Sequence, residues 1–311
     1  MFDARLDALD RQIADLRAAV AELAAEQRRL VDWEAETRTR VRRTQALAAR
    51  TYEGLQRWPE LLAAARADPE YELTYSETDP LVSIPIPTFN AADLLCDRAL
   101  ASVRAQTYSN WEAIVVGDHC TDDTAERVQS LGDDRIRFHN LAVRENDPED
   151  PWERWAVKGS VPRSTGVELA AGRWIAPLSH DDAWDADHLA TVLAAAREHR
   201  AEVAYSRQRV VAAQEPGTPV IRTLGTHPPR LGEFGWQSVV FHGALRFLRY
   251  DRTCALASEP NDWNLARRAW EAGVRFHLVE RETVTLYDYG RRPEIDAALD
   301  AMGLPPSAAG A

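Results

Sequence analysis

The chain of 311 residues is long enough for one large α/β domain plus an accessory segment. Its hydrophobic fraction of 45% and charged fraction of 28% are those of an ordinary globular protein. A net charge of −12 argues against a partner nucleic acid, and it means that a bound diphosphate needs a metal ion or a local arginine.

Cys96, Cys120 and Cys254 are widely spaced, form no zinc pattern, and read as reduced thiols of a cytoplasmic protein. The amino terminus has no signal-peptide core, and no stretch approaches the ~20 apolar residues that span a bilayer. Any work at a membrane is therefore expected from its inner surface.

In chain order, Leu6, Leu9, Ile13, Leu16, Val20, Leu23 and Leu30 alternate spacings of three and four, interrupted only at Gln27. β-Branched residues at one seam position and leucines at the other favour a two-stranded parallel coiled coil, hence a homodimer. A single amphipathic helix docked on the catalytic domain is the alternative. The basic run Arg38, Arg40, Arg42, Arg43 and Arg50 reads as a solvated helix face, or as a contact with an anionic membrane surface. Residues 1–58 form this helical segment. Pro59, Asp68-Pro69 and Ser76 to Pro80 mark a linker over 59–80.

From Leu81 strand and helix alternate. Leu81 to Ile86 is a strand entering the loop Pro87-Thr88-Phe89-Asn90, and a helix follows over Asp93 to Arg104. Ala113 to Val116 is a buried strand closed by Gly117-Asp118. Then come a helix from Asp123 to about Ser130, a strand from Arg135 to His139 and a helix from about Thr165 to Ala171. The strand Trp174 to Leu178 ends at Ser179-His180-Asp181-Asp182. Such alternation predicts a doubly wound, mainly parallel sheet that brings Thr88, Asp118 and the acid pair to one edge, where open α/β sheets bind ligands. Paired carboxylates there suit Mg²⁺ or Mn²⁺ beside substrate phosphates. No Gly-x-Gly-x-x-Gly and no Walker-type loop follows the first strand, which disfavours dinucleotide oxidoreductases and P-loop enzymes.

Several segments in order carry a specific resemblance: Val82 to Asn90, Ser102 to Tyr108, Trp111 to Asp118, Thr121 to Thr124, Pro162 to Gly166, Ala170 to Trp174 and the Asp-Asp pair. Over residues 81–206 the sequence resembles the family 2 glycosyltransferases of the GT-A fold. That resemblance implies an α/β GT-A domain over 81–302, with a nucleotide-sugar part at 81–206 and an acceptor part at 207–302. Residues 303–311 read as a frayed tail.

The resemblance further implies that Pro87, Thr88, Asn90, Asp118, Arg163 and Asp181 contact a nucleoside-diphosphate sugar, with a UDP-sugar favoured. Asp182 and Asp181 would hold Mn²⁺ or Mg²⁺. The family usually has another acid where Ser179 stands. Glu259 to Leu265 resembles the acceptor-side motif that bears the catalytic base. Its first acid is replaced by Asn261, leaving Asp262 as the base of an inverting transfer. Trp236, His242 and Trp263 are candidate acceptor contacts, since aromatic faces stack on sugars. His277 and Asp288 are open candidates for a further metal or phosphate contact. Neither the Gln-x-x-Arg-Trp signature of processive synthases nor a membrane span is present, so a single addition is expected, on an acceptor the residues do not name. A nucleotidyltransferase would carry a Gly-rich, basic loop after the first strand, which Pro85 to Asn90 lacks. The non-enzymatic alternative is a coiled-coil scaffold carrying a degenerate GT-A domain.

Overall fold

The computed structural model describes residues 2–212 and 220–288. It opens with one 54-residue helix, α1 (Phe2–Leu55). The apolar seam on it is exposed where its side chains are described: Leu16 is 65% and Leu23 66% exposed, and Ile13, Val20 and Leu30 also face outward. The last turns of α1 meet the rest of the chain, through Ala49, Arg50, Glu53 and Gln56. The described part of the seam, from Ile13 to Leu30, therefore does not dock on the sheet.

Residues expected to be a linker instead form two helices. α2 (Trp58–Ala67) carries Pro59 in its first turn, and α3 (Pro69–Ser76) is capped by the Asp68 carboxylate, which accepts from Glu70 N–H at 2.8 Å. Pro and Asp-Pro here start helices rather than end structure. Trp58, Leu62, Tyr71 and Tyr75 are buried against the sheet. Beneath them Glu202, wholly buried, accepts from Arg66 at 2.7 Å and from Tyr71 at 2.6 Å. Replacing the buried Leu62 by alanine should lower stability by about 2–5 kcal/mol, read from denaturant midpoints, whereas a loose linker would show no change.

β1 (Val82–Thr88) is followed by a helical stretch. It runs α4 (Ala92–Leu94), a π-helical turn (Leu95–Leu100) and α5 (Ala101–Arg104). Next come β2 (Trp111–Gly117), α6 (Thr124–Ser130) and β3 (Ile136–Asn140). α7 (Pro151–Val157) is capped by Asp150, and α8 (Ser160–Leu169) starts earlier than its sequence pattern suggested. β4 (Trp174–Ile175), β5 (Ala183–Trp184), α9 (His188–Glu198), β6 (Val203–Ala212) and β7 (Val220–Leu224) complete the middle of the chain. After β8 (Val239–His242) lie α10 (Asn261–Glu271) and β9 (Phe276–Asp288).

The strands form one sheet in the order β3-β2-β1-β4-β8-β6-β9-β5, with β7 on β6. Pairing is parallel from β3 to β4, but β8 runs antiparallel to both β4 and β6, and β5 to β9. The sheet is thus mixed rather than mainly parallel. After residue 200, β6, β7 and β8 follow one another without an α-helix and pair antiparallel, whereas β9, which follows α10, lies parallel to β6. Two apolar layers cover its faces. One gathers α3, the helical stretch around Leu95–Leu100 and α9; the other gathers α2, α8 and α10. The last described residue is Asp288, so the expected tail lies outside the described residues.

A local feature opens the sheet at its working edge. In a parallel strand both polar groups of a residue face one neighbour, and Pro85 and Pro87 of β1 have no N–H to give. Their side of β1 faces β4, whose ladder stops after two residues. Beyond it only Ala176 and Leu178 N–H reach back, to Ser83 and Pro85 carbonyls at 2.8 and 3.1 Å. The strand expected over 174–178 is therefore two residues of ladder and an extended tail, which peels away toward the acid pair.

Candidate functional site

Beyond the bonds from Ala176 and Leu178, where β1 ends at Pro87 and Thr88 and the tail reaches Ser179, lies a cleft of about 310 Å³. Its walls come from the ends of β1 and β2, the 144–163 region, the Ser179–Asp182 turn, the start of α10 and the end of β9. Pro87, Thr88, Asp118, Arg163, Asp181, Asp182 and Asp262 all line it.

Thr88 terminates β1 and is buried, with Oγ1 lacking a hydrogen-bond partner. A buried hydroxyl without a partner is costly, and one lining a cleft is placed to bond a ligand. The Thr88 carbonyl accepts from Asp118 N–H at 2.8 Å, which fixes the Asp118 side chain beside it. Burial pushes the Asp118 carboxyl above the usual range, opposed by the Arg144 guanidinium, 3.2 Å away. Arg144 also lies 4.0 Å over the Phe89 ring, and Arg252 braces its loop by bonding Glu145 at 2.7 Å and the Asn146 carbonyl at 2.7 Å. This part of the cleft combines an aromatic ring, a carboxylate and a guanidinium.

The Ser179–Asp182 turn closes with Asp182 N–H on the Ser179 carbonyl. Asp182 is 5% exposed and accepts from Tyr287 N–H at 3.3 Å. Burial, and then the neighbouring Asp181 charge, push its carboxyl well above the ordinary range. Arg98 steadies the turn from behind, donating to the Asp181 carbonyl at 2.8 Å while stacking on Tyr287. Among the described residues no three His, Cys, Asp or Glu side chains converge as an all-protein metal cage requires. Two adjacent carboxylates, one of them buried, still match Mg²⁺-type sites, which take one or two carboxylates and complete their shell with substrate phosphates and water. His180, half-buried and lining the cleft, bonds through Nδ1 to the Pro87 carbonyl at 3.2 Å, and desolvation holds its imidazole below the usual range.

Asp262 stands in the first turn of α10. Its Oδ1 accepts from Trp263 N–H at 2.7 Å, and its carbonyl accepts from Trp236 Nε1 at 2.7 Å. Burial raises its carboxyl above the usual value, with Arg163 opposing. Asn261 explains itself here. Its amide donates to the Lys158 carbonyl at 2.9 Å and to Ser160 Oγ at 2.8 Å while accepting from Arg163 at 3.1 Å. A carboxylate offers no such donor. Gly166 makes the close approach of α8 to β1 possible, since a Cβ there would sit 2.8 Å from Pro85 Cβ, and that packing seats Arg163 over the cleft.

Other sequence candidates fall elsewhere. His242 is 1% exposed, stacked on Tyr71 and bonded to the Tyr71 carbonyl at 3.1 Å, so it is a core residue and no acceptor contact. Trp236 is buried and supports the Asp262 backbone, bordering only a small side cavity. Trp263 packs partly against the core and does not line the cleft. Asn90 turns outward in a left-handed conformation and holds Thr121 N–H at 2.8 Å, outside the cleft. His277 stacks on His199 at 3.8 Å and Asp288 closes β9; neither lines the cleft.

Conversely, Phe89, Arg144, Trp155, Lys158, Gln237 and Tyr287 line the cleft without having been singled out. Asp150-Pro151 is a readable helix start, and Gly159 (φ 72°) a readable break, so Trp155 and Lys158 at the end of that helix were within reach of sequence. Arg144, Gln237 and Tyr287 had no such signal.

Residues 83–149 match the family described as glycosyl transferase family 2. That match falls on the first three strands of the sheet and the loop after them. A Bacillus subtilis protein named for glycosyl transfer in teichuronic acid biosynthesis is 31% identical over 150 residues, covering 48% of this chain and 54% of its own. The Escherichia coli UDP-Glc:α-D-GlcNAc-diphosphoundecaprenol β-1,3-glucosyltransferase WfgD is 36% identical over 111 residues, covering 36% and 39%. The chain thus spans about half or less of the length of these curated relatives. Among solved structures, S. aureus TarS 1–349 with UDP superposes with a TM-score of 0.50 at 16% identity, over 67% of this chain and 60% of that one. That likeness is one of fold: a mixed α/β sheet of the GT-A kind. No helix among the described residues is long and apolar enough to cross a membrane.

Proposed function

We propose that the chain is a glycosyltransferase that moves one sugar from a UDP-sugar to an acceptor hydroxyl, with inversion, in the presence of Mn²⁺ or Mg²⁺. The observation that carries this is the arrangement within one cleft of three groups. Thr88, Asp118 and Arg144, the Asp181-Asp182 pair, and the half-buried Asp262 all line that cleft. TarS was solved with UDP, and the WfgD name specifies UDP-glucose.

On this reading the base of the nucleotide stacks near Phe89 and donates an N–H to Asp118, with Arg144 moving from Asp118 to a base carbonyl. Asp181 and Asp182 hold the cation, which when bound neutralises diphosphate charge and aids its departure. Arg163 adds positive charge beside the leaving group. Asp262 takes the acceptor proton as the acceptor oxygen bonds to the anomeric carbon and the sugar–phosphate bond breaks. Trp155, at the mouth beside Lys158, offers a face for an acceptor sugar. The exposed seam of α1 is the proposed homodimer contact, and the catalytic unit takes in α2 and α3.

Calorimetric titration of UDP, GDP and dTDP, each with and without Mn²⁺, tests this directly. UDP is expected to bind best and to require Mn²⁺. A folded sample that binds none of the three supports the scaffold alternative instead. Asp118→Asn should weaken UDP about tenfold to a hundredfold, the worth of a hydrogen bond to a charged group. An unchanged affinity would remove Asp118 from the base pocket.

A further inference from the structure

We infer that Glu53 of α1 is a positioning residue for Asp262, acting through Arg267 and Glu259; the inference rests on the proposed role of Asp262 as base. Arg267 lies on the inner face of α10 with its side chain 9% exposed. It donates to Glu53 at 2.9 and 3.0 Å, and to Glu259 at 2.8 and 3.1 Å through Nε. Asn264 Nδ2 bridges the same two carboxylates at 2.8 Å each. Arg50 adds a contact to Glu259 at 3.3 Å.

Glu259 is only three residues before Asp262, and Pro260 between them fixes the backbone. The network therefore sets where the first turn of α10 starts. α1 grips the same region a second time through Gln56, which bonds Asp251 at 3.0 Å and also meets Arg268; that guanidinium stacks on Trp58 at 3.8 Å. Buried ion pairs contribute little net stability compared with an apolar core, so a network this dense is better explained by the geometry it imposes. A base must lie within hydrogen-bond reach of the acceptor proton, and small displacements lower the rate steeply.

The experiment compares Glu53→Ala, Glu271→Ala and Asp262→Asn in the full chain, following UDP release from UDP-glucose and UDP-N-acetylglucosamine with Mn²⁺, alongside UDP titration. Glu271 is a third acid partner of Arg267, at 2.7 Å, but it sits on the exposed flank of α10 and meets α1 through the half-exposed Arg50 at 3.6 Å, not through Glu53. Glu53→Ala is expected to lower kcat by about tenfold to a hundredfold with donor KM and UDP affinity within about twofold. Glu271→Ala should keep wild-type kcat. Glu53→Gln, which retains an acceptor for Arg267, should recover most of the loss, and it replaces Glu53→Ala if the latter fails to fold. Unchanged kcat in the Glu53 variants overturns the inference, as does an equal loss in Glu271→Ala or a parallel loss of UDP affinity. Full activity in Asp262→Asn, or a wild-type chain inactive on both donors, overturns the underlying reading instead.

Discussion

Asp262→Asn should lower sugar transfer by about 10²–10⁴-fold while UDP affinity stays within about twofold. The asparagine keeps an Oδ1 to accept from Trp263 N–H, so the first turn of α10 and the cleft wall remain in place. What is lost is the ability to take a proton. Because burial raises the Asp262 carboxyl, its ionised fraction falls at a higher pH than for an exposed aspartate. A base acts ionised, so the acidic limb of the wild-type kcat profile should lie above the ordinary aspartate range and vanish in the variant. The same shift has a sign for stability. A carboxyl raised in the folded state favours folding at low pH, and that advantage is lost as pH rises through the raised value. Asp262→Asn should therefore be at least as stable as wild type at neutral pH, measured by thermal melting. A variant that transfers at the wild-type rate would place the base elsewhere.

The second large effect is expected at the acid pair. Asp181→Ala and Asp182→Ala should each weaken UDP in Mn²⁺ by a hundredfold or more, about 2.7 kcal/mol, and leave the weak metal-free binding nearly unchanged. A diphosphate entering a chain of net charge −12, beside two carboxylates, meets repulsion that a bound metal cation would offset at the acid pair itself. Asp182 also holds Tyr287 N–H, so its loss should loosen the end of β9 as well. Glu53→Ala, with the same melting assay, is the control for a general loss of fold. If UDP binds equally with and without Mn²⁺ in wild type, the acids serve the sugar or ribose rather than a cation.

Which parts of this were legible in the chain follows from how local their causes are. β1, β2 and the Asp118 and Asp181-Asp182 positions are set by short apolar runs that stop at polar groups, and strand order then brings them together without further information. α2 and α3 were missed because Pro59 and Asp68-Pro69 are ambiguous: the same residues end one helix and begin the next, and only the burial of Trp58 and Tyr71 against distant strands decides. His242 misled for a related reason. An aromatic ring beside glycine looks like a pocket wall until Tyr71 and Trp174, far away in sequence, enclose it. The mixed half of the sheet was illegible because β8 pairs antiparallel with β4 and β6, and β9 parallel with β6, across long stretches of chain that local patterns do not report. Arg144 belongs with these, since its place is set by Asp118, Phe89 and Arg252 together.

The long first helix has a consequence for reach. About 40 residues precede Val41, a rod of roughly 60 Å at helical rise, and its described apolar side chains face outward. Its other end is locked to α10 by the Glu53 and Gln56 contacts, so the rod and the cleft turn together. A second chain or a surface that holds the outer stretch thereby fixes how far from it the cleft opens. On the proposed reading, the spacing between that anchor and the acceptor hydroxyl would be set by the length of the helix.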